Sequence, residues 1–164
     1  KKKIKNLTTI IIPRHVHRVK EIISEIEDFK LTVAIHSKKK ASLKDIDIYI
    51  VDTFGETNKF HNISCSVFIG KSISKKGGQN PLEAARCGAK ILHGPGTENF
   101  KDVYKLLKSL NITKKINTPE ELASSILFKK NEIIGKKIKN IGKKILKKTI
   151  KELDSIINNE TQKA

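Results

Sequence analysis

The 164-residue sequence contains no methionine and no tryptophan, and only 5% of it is aromatic. So few flat side chains leave little on which exposed bases could stack, which argues against a platform for single-stranded nucleic acid. Two cysteines, Cys65 and Cys87, are too few for a disulfide framework and lack the spacing of a metal site. Both fall in apolar settings and read as small buried hydrophobes of a reducing compartment. No uninterrupted apolar run approaches the roughly 20 residues that cross a bilayer as a helix. With no methionine and Lys1 in first place, the chain is expected to be part of a longer protein.

What the sequence does hold is positive charge, +17 in all, and enough apolar residues, 37%, for one α/β domain with an appendage. The charge invites a nucleic-acid reading. Against it, the lysines come with many Ile and Asn residues, the bias that an A/T-rich genome spreads everywhere. Of the arginines, only Arg14 and Arg86 stand out as forks for a base or a phosphate. No nucleic-acid partner is therefore expected, and an anionic lipid surface fits the charge better.

After a polar lead-in, Lys1–Asn6, strands and helices alternate. Leu7–Ile12 is β-rich and stops at Pro13-Arg14-His15. Val19, Ile22, Ile23, Ile26 and Phe29 recur at helical spacing within Val16–Phe29. Strands are expected over Leu31–Ile35, Ile46–Val51, Ser66–Ile69 and Lys90–His93, with an edge strand at Ile112–Ile116. Ser37–Lys44 reads as a lysine-rich surface connection. Further helices are expected over Thr57–Ser64, Glu98–Leu110 and Thr118 to about Phe128, the last with Pro119 at its first position. This alternation predicts a parallel sheet with helices on both sides, whose ligands lie beyond the carboxyl ends of the strands. Arg14, Thr53, Gly55, Glu56, Ser72 and the run Gly77–Glu83 are all expected at that edge. Residues 1–130 make this Rossmann-like domain. Residues 131–164 form a basic C-terminal helix, with Ile134, Ile138, Ile141, Ile145, Thr149, Leu153 and Ile156 in one stripe and lysines on the other faces. It packs on the domain, lies on anionic lipid, or docks on a further part of the protein.

The densest chemistry lies in Gly70–Gly96. A strand runs into Gly77-Gly78, and Asn80-Pro81 opens a helix that Gly88 ends after about two turns. Free N–H groups at such a loop suit a phosphate. Gly70-Lys71-Ser72 mimics the end of a P-loop, but the glycine required five residues earlier is Cys65, so that motif is rejected. Asn80 and Glu83 have two readings. They form a capping box that needs no ligand, or Glu83 takes the two hydroxyls of a ribose; spacing alone favours the box. Arg14-His15 is a surface turn or a fork for phosphate or carboxylate. The five histidines sit mostly on separate elements, and no metal site is expected.

Pro13-Arg14-His15, Asp52-Thr53-Phe54-Gly55-Glu56, Gly70-Lys71-Ser72, Gly77-Gly78-Gln79-Asn80-Pro81-Leu82-Glu83-Ala84-Ala85, and Gly94-Pro95 with Asn99-Phe100 occur in an order that resembles bacterial 3-deoxy-D-manno-octulosonic acid (Kdo) transferases. The resemblance covers about Thr8 to Leu127 and is to the C-terminal, donor-binding domain of these GT-B glycosyltransferases of lipid A assembly. Departures are Val16, Lys71 and Gln79, where the family commonly has Pro, Gly and His. The resemblance implies the donor half of a glycosyltransferase that moves Kdo from CMP-Kdo to a lipid A precursor at the cytoplasmic face of the bacterial inner membrane. The acceptor and the catalytic base would belong to an N-terminal domain outside this chain, so the chain alone is expected to be inactive. It also implies that Arg14, with His15 beside it, meets the CMP phosphate. Gly70, Ser72, Gly77, Gly78 and Asn80 would line the phosphate or the Kdo carboxylate, and Glu83 the ribose. Thr53, Gly55 and Glu56 would shape the floor of the site. No cofactor is implied. The alternatives are a transferase or epimerase using another nucleotide sugar, and a basic binding module for RNA or acidic lipid.

Overall fold

The computed structural model describes residues 7–38, 45–73 and 77–161. The lead-in Lys1–Asn6 and the connection beyond Lys38 as far as Lys44 lie outside them. The chain divides into two compact units between Phe60 and His61.

In the first unit, β1 (Thr9–Ile11), β2 (Val33–Ile35) and β3 (Ile48–Ile50) form a parallel sheet in the order β1-β3-β2. Ile11 and Ile35 both stand opposite Ile50, so all three strands end at the same edge. Helix α1 (Val19–Glu27) lays Val19, Ile22, Ile23 and Ile26 against Ile48 and Ile50. A one-residue slip of β3 would turn both of these isoleucines away from α1, which fixes the register. The helix is shorter at both ends than its apolar spacing predicts. A 3-10 turn, Val16–Arg18, precedes it. Phe29 falls beyond its end and is 70% exposed, because Lys30 turns the chain at φ +50° before β2.

Helix α2 (Thr57–Ile63) carries the chain into the second unit. There β4 (Ser66–Ile69), β5 (Lys90–His93) and β6 (Thr113–Lys115) are again parallel, in the order β4-β5-β6, with β6 at an edge. Parallel neighbours need crossovers, which α3 (Leu82–Arg86) and α4 (Lys101–Ser109) supply. Ile69, Ala84, Ala85, Ile91, Tyr104, Leu107, Ile112 and Ile138 close the core. The α/β expectation of parallel strands among helices therefore holds, with the pairing in two three-stranded sheets, one per unit.

Helix α5 (Pro119–Ser125) starts where its residues predict: the Thr118 hydroxyl accepts from the Glu121 N–H, and the Glu121 carboxylate accepts from the Asn117 N–H. It stops short of Phe128 because Leu127 is pinned to β4, its N–H donating to Ser66 Oγ and its carbonyl accepting from the same hydroxyl. Helix α6 (Glu132–Thr161) begins against α3, where the Asn131 N–H donates to the Gly88 carbonyl at 2.8 Å. Ile134 and Ile138 pack into the core, and from Lys143 to Asn159 every side chain is exposed.

Candidate functional site

In the first unit the loops after β1, β2 and β3 leave the same sheet edge. Arg14 and His15 follow β1, both exposed. Among the described residues Arg14 has no hydrogen bond or ion pair, whereas Arg18 is engaged with Glu21 at 2.9 Å. The His15 ring stacks on that of His17, with centroids 5.5 Å apart. Thr53, Gly55 and Glu56 follow β3; Gly55 is exposed, and the side chains of Thr53 and Glu56 are tightly engaged. The Glu56 carboxylate accepts from Lys59 Nζ at 2.7 Å, from Thr53 Oγ1 and from His36 Nε2 at 2.8 Å. With its ring proton on Nε2, His36 also accepts from the Tyr49 hydroxyl at 2.7 Å, and the Phe60 ring packs edge-on against it. The Lys59 hydrogen bond first, then those of Thr53 and His36, hold the Glu56 carboxyl down at about 2. Beside it, Asp52 accepts from the Ser37 N–H at 2.8 Å and from the Ser37 hydroxyl.

In the second unit the site loops follow β4 and β5. Ser72 is fully buried, and both roles of its hydroxyl are taken: it donates to the Ile69 carbonyl at 2.5 Å and accepts from the Gly94 N–H at 2.8 Å. Its carbonyl accepts from the Gly96 N–H at 2.7 Å. Ser72 thus clasps the loop after β4 to the loop after β5. The contact is so close that a Cβ at Gly94 would sit 2.4 Å from the Ser72 carbonyl oxygen. Gly70 is exposed. Lys71 has φ +63°, the left-handed region that glycine enters without penalty and where the family resemblance expects glycine.

Gly78 has φ +90°, and a Cβ there would lie 2.7 Å from the Gly96 carbonyl oxygen, so the loop requires glycine at that place. The backbone N–H groups of Gly77, Gly78, Gln79 and Asn80 donate to no described group. Asn80 caps α3, its Oδ1 accepting from the Leu82 N–H at 3.0 Å. α3 is only five residues long, less than the two turns expected, so its dipole is small and the N–H groups themselves carry the attraction for an anion. Glu83 is exposed and has no hydrogen bond or ion pair among the described residues. The capping box that spacing favours does not form, and this carboxylate stands ready for another partner.

Two residues at these edges escaped the sequence reading. His36 joins Glu56 and Tyr49 across 20 and 13 residues of chain, a separation no local pattern marks. His93 ends β5 buried, its Nδ1 bonded to the Gly94 carbonyl at 2.6 Å and its ring 4.5 Å from that of Tyr104. Burial lowers the pKa of His93 and raises that of Tyr104 to about 12. His61, on α2, carries a buried Nδ1 with no described hydrogen-bond partner, and its pKa is lowered first by burial.

Comparison with solved structures gives the class. The chain is similar to the C-terminal CMP-Kdo binding domain of WaaA from Acinetobacter baumannii, with a TM-score of 0.65 and 22% identity, over 70% of this chain and 60% of that one. The fold is thus that of the C-terminal domain of a GT-B glycosyltransferase. Sequence relatives narrow the class. The chain is 32% identical to the 3-deoxy-D-manno-octulosonic acid transferase of Rickettsia bellii over 147 residues, covering 90% of this chain and 35% of that protein. It is 35% identical to the enzyme of the same name from Rickettsia felis over 119 residues, covering 73% and 25%. A bifunctional glycosyltransferase/methyltransferase of Fusobacterium nucleatum is 30% identical over 133 residues, covering 80% and 21%. No family model matches. Over most of its length the chain is a homologue of the Kdo transferases, and it spans between a quarter and about a third of the first two.

Proposed function

We propose that this chain is the donor-binding part of a Kdo transferase, seating CMP-Kdo for transfer of the sugar to a lipid A precursor at the cytoplasmic face of the inner membrane. The observation that carries this reading is the sequence relationship over 147 residues to an enzyme of that name. The geometry of the second unit supports it. Four N–H groups at Gly77–Asn80 have no acceptor among the described residues and suit a phosphate or a carboxylate. Glu83, on the first turn of the helix that follows, is a carboxylate with both oxygens open to two ribose hydroxyls. Ser72 contributes by holding the loop, since its hydroxyl is already satisfied on both sides.

The chemistry follows. As the bond from the Kdo anomeric carbon to the CMP phosphate oxygen breaks, positive charge grows on the sugar and negative charge on the leaving phosphate. Fixed N–H donors aimed at that phosphate stabilise the departing charge without having to reorganise. Arg14, whose guanidinium has no hydrogen bond or ion pair among the described residues, is proposed as a phosphate ligand on the family resemblance alone. Thr53 and Glu56 are held in a hydrogen-bonded cluster with His36 and Lys59, with Gly55 exposed between them, and they are proposed to shape the surface of the first unit near the donor rather than to bind it directly. The acceptor sugar and the base that activates it belong to the remainder of the protein.

Titration of CMP into the chain, followed by amide resonances, tests this assignment. The amides of Gly77 to Glu83 are expected to shift most. A response confined to amides elsewhere, or saturation equally well by any nucleoside monophosphate, overturns it.

A further inference from the structure

Among the described residues, Lys30, Asp45, Lys71 and Asn111 hold φ in the left-handed region without being glycine. Lys30 and Asn111 stand just past the ends of α1 and α4, where a left-handed residue closes a helix. Lys71 has no helix to close. It stands two residues past β4, next to the buried Ser72, at a place that glycine would fill without steric cost. Its side chain shows what the lysine adds. Cγ and Cε lie 3.0 Å, and Cδ 3.1 Å, from the point that a Cβ on Gly77 would occupy, so the stem lies across the bare face of that glycine. With one further bond of about 1.5 Å, Nζ is no more than about 4.5 Å from the same point. The ammonium therefore stands beside the loop whose N–H groups at Gly77–Asn80 have no acceptor among the described residues. Glu83 does not neutralise it, since that carboxylate forms no ion pair among the described residues. Arg86 is engaged elsewhere: its Nη2 lies 3.3 Å from the place of a Cβ on Gly142, in α6.

We propose that Lys71 is a phosphate-binding residue of this site, its ammonium reaching an oxygen of the phosphate that the Gly77–Asn80 N–H groups hold. The assignment rests on the donor-site reading above and extends it to a position where this chain departs from the glycine of its family resemblance. Backbone N–H groups offer partial charges in fixed directions, whereas an ammonium brings a full charge on a stem that can follow the ligand. Its three donors leave some for a phosphate even where a neighbour takes one. As the sugar leaves, the phosphate gains negative charge, and a cation already beside it stabilises that change. A glycine here would relax the backbone and leave the loop without this charge, so the lysine exchanges backbone ease for anion affinity.

CMP, cytidine and inorganic phosphate are the probes, each titrated at low salt into the 164-residue chain and its variants, with the amides of Gly77–Asn80 as the readout. Lys71→Gln keeps the stem but not the charge. It is expected to weaken CMP and phosphate at least about fivefold and to leave cytidine unchanged. Lys71→Arg restores the charge and is expected to bind CMP within about twofold of wild type. Lys71→Gly should lose as much CMP affinity as Lys71→Gln, with no fall in melting temperature, because glycine fits the left-handed turn. Lys108→Gln, an exposed change on α4, should alter none of these values. Wild-type affinity for CMP in Lys71→Gln overturns the assignment and leaves the donor-site reading standing; an ammonium that served only the Kdo carboxylate, which CMP lacks, would give that result. Equal losses for cytidine and CMP, or equal losses in Lys71→Gln and Lys71→Arg, overturn it as well, because the stem and not the charge would then matter. The opposite outcome separates the two claims: a chain that ignores CMP but binds phosphate at this loop through Lys71 refutes the nucleotide and upholds the lysine.

Discussion

Glu56 and Glu83 are the same residue type in comparable places, each in the connection that leaves the carboxyl end of a strand in a parallel sheet, yet they are in opposite states. Glu56 accepts from Lys59, Thr53 and His36, and its carboxyl is held at about 2. Glu83 has no hydrogen bond or ion pair among the described residues. The difference shows how one fold divides its work. A carboxylate with three donors around it fixes a loop, and one with none is available to something that arrives. Among the described residues neither Arg14 in the first unit nor Glu83 in the second has a hydrogen bond or ion pair, whereas the Glu56 cluster and the Ser72 clasp are fully engaged.

The largest effect should come from the free carboxylate. Glu83→Ala is expected to weaken CMP binding by the chain at least a hundredfold in calorimetry, with the melting temperature nearly unchanged because no hydrogen bond or ion pair among the described residues is lost. A fall in melting temperature with affinity intact would make Glu83 structural after all and erase the contrast. Ser72→Ala should do the reverse. It strands the Ile69 carbonyl and the Gly94 N–H in a fully buried place, at a cost of about 2 kcal/mol. Stability should fall, and CMP affinity should fall less than for Glu83→Ala, since the loop loosens but keeps its donors.

Much of this was legible in the sequence because it is local. β4 and β5 begin and end where their apolar runs do, and the Asn80-Pro81 cap and the Thr118-Pro119 start are chemistry written within three or four residues. What could not be read is non-local. Ser72 looks like a ligand-facing hydroxyl until Gly94, 22 residues on, is found donating to it. Glu83 stands at capping-box spacing from Asn80, but the cap is completed by Leu82 N–H and the box never closes. In α6, a stripe traced from Ile134 to Ile156 passes over Leu146 and Ile150, because the exposed apolar residues turn around the helix once the domain no longer sets their direction.

The smallest expected effect is also the one that pH can isolate. The Glu56 pKa is lowered in the fold from its ordinary 4.5 to about 2, so the folded chain holds this carboxylate ionised more firmly than the unfolded chain does. The stability gained is fully present above the unfolded value and is lost as pH falls from about 4.5 towards 2. Glu56→Gln removes that dependence. Its carbonyl oxygen can still accept from Thr53 and His36, but its amide cannot neutralise or accept from Lys59, so the variant should melt a few degrees lower at neutral pH. Wild type should approach the variant as the solution is acidified, and the two curves should converge near the bottom of that range. A constant gap between them at every pH would mean that the cluster is held by shape alone, and that Glu56 differs from Glu83 in its neighbours but not in its charge.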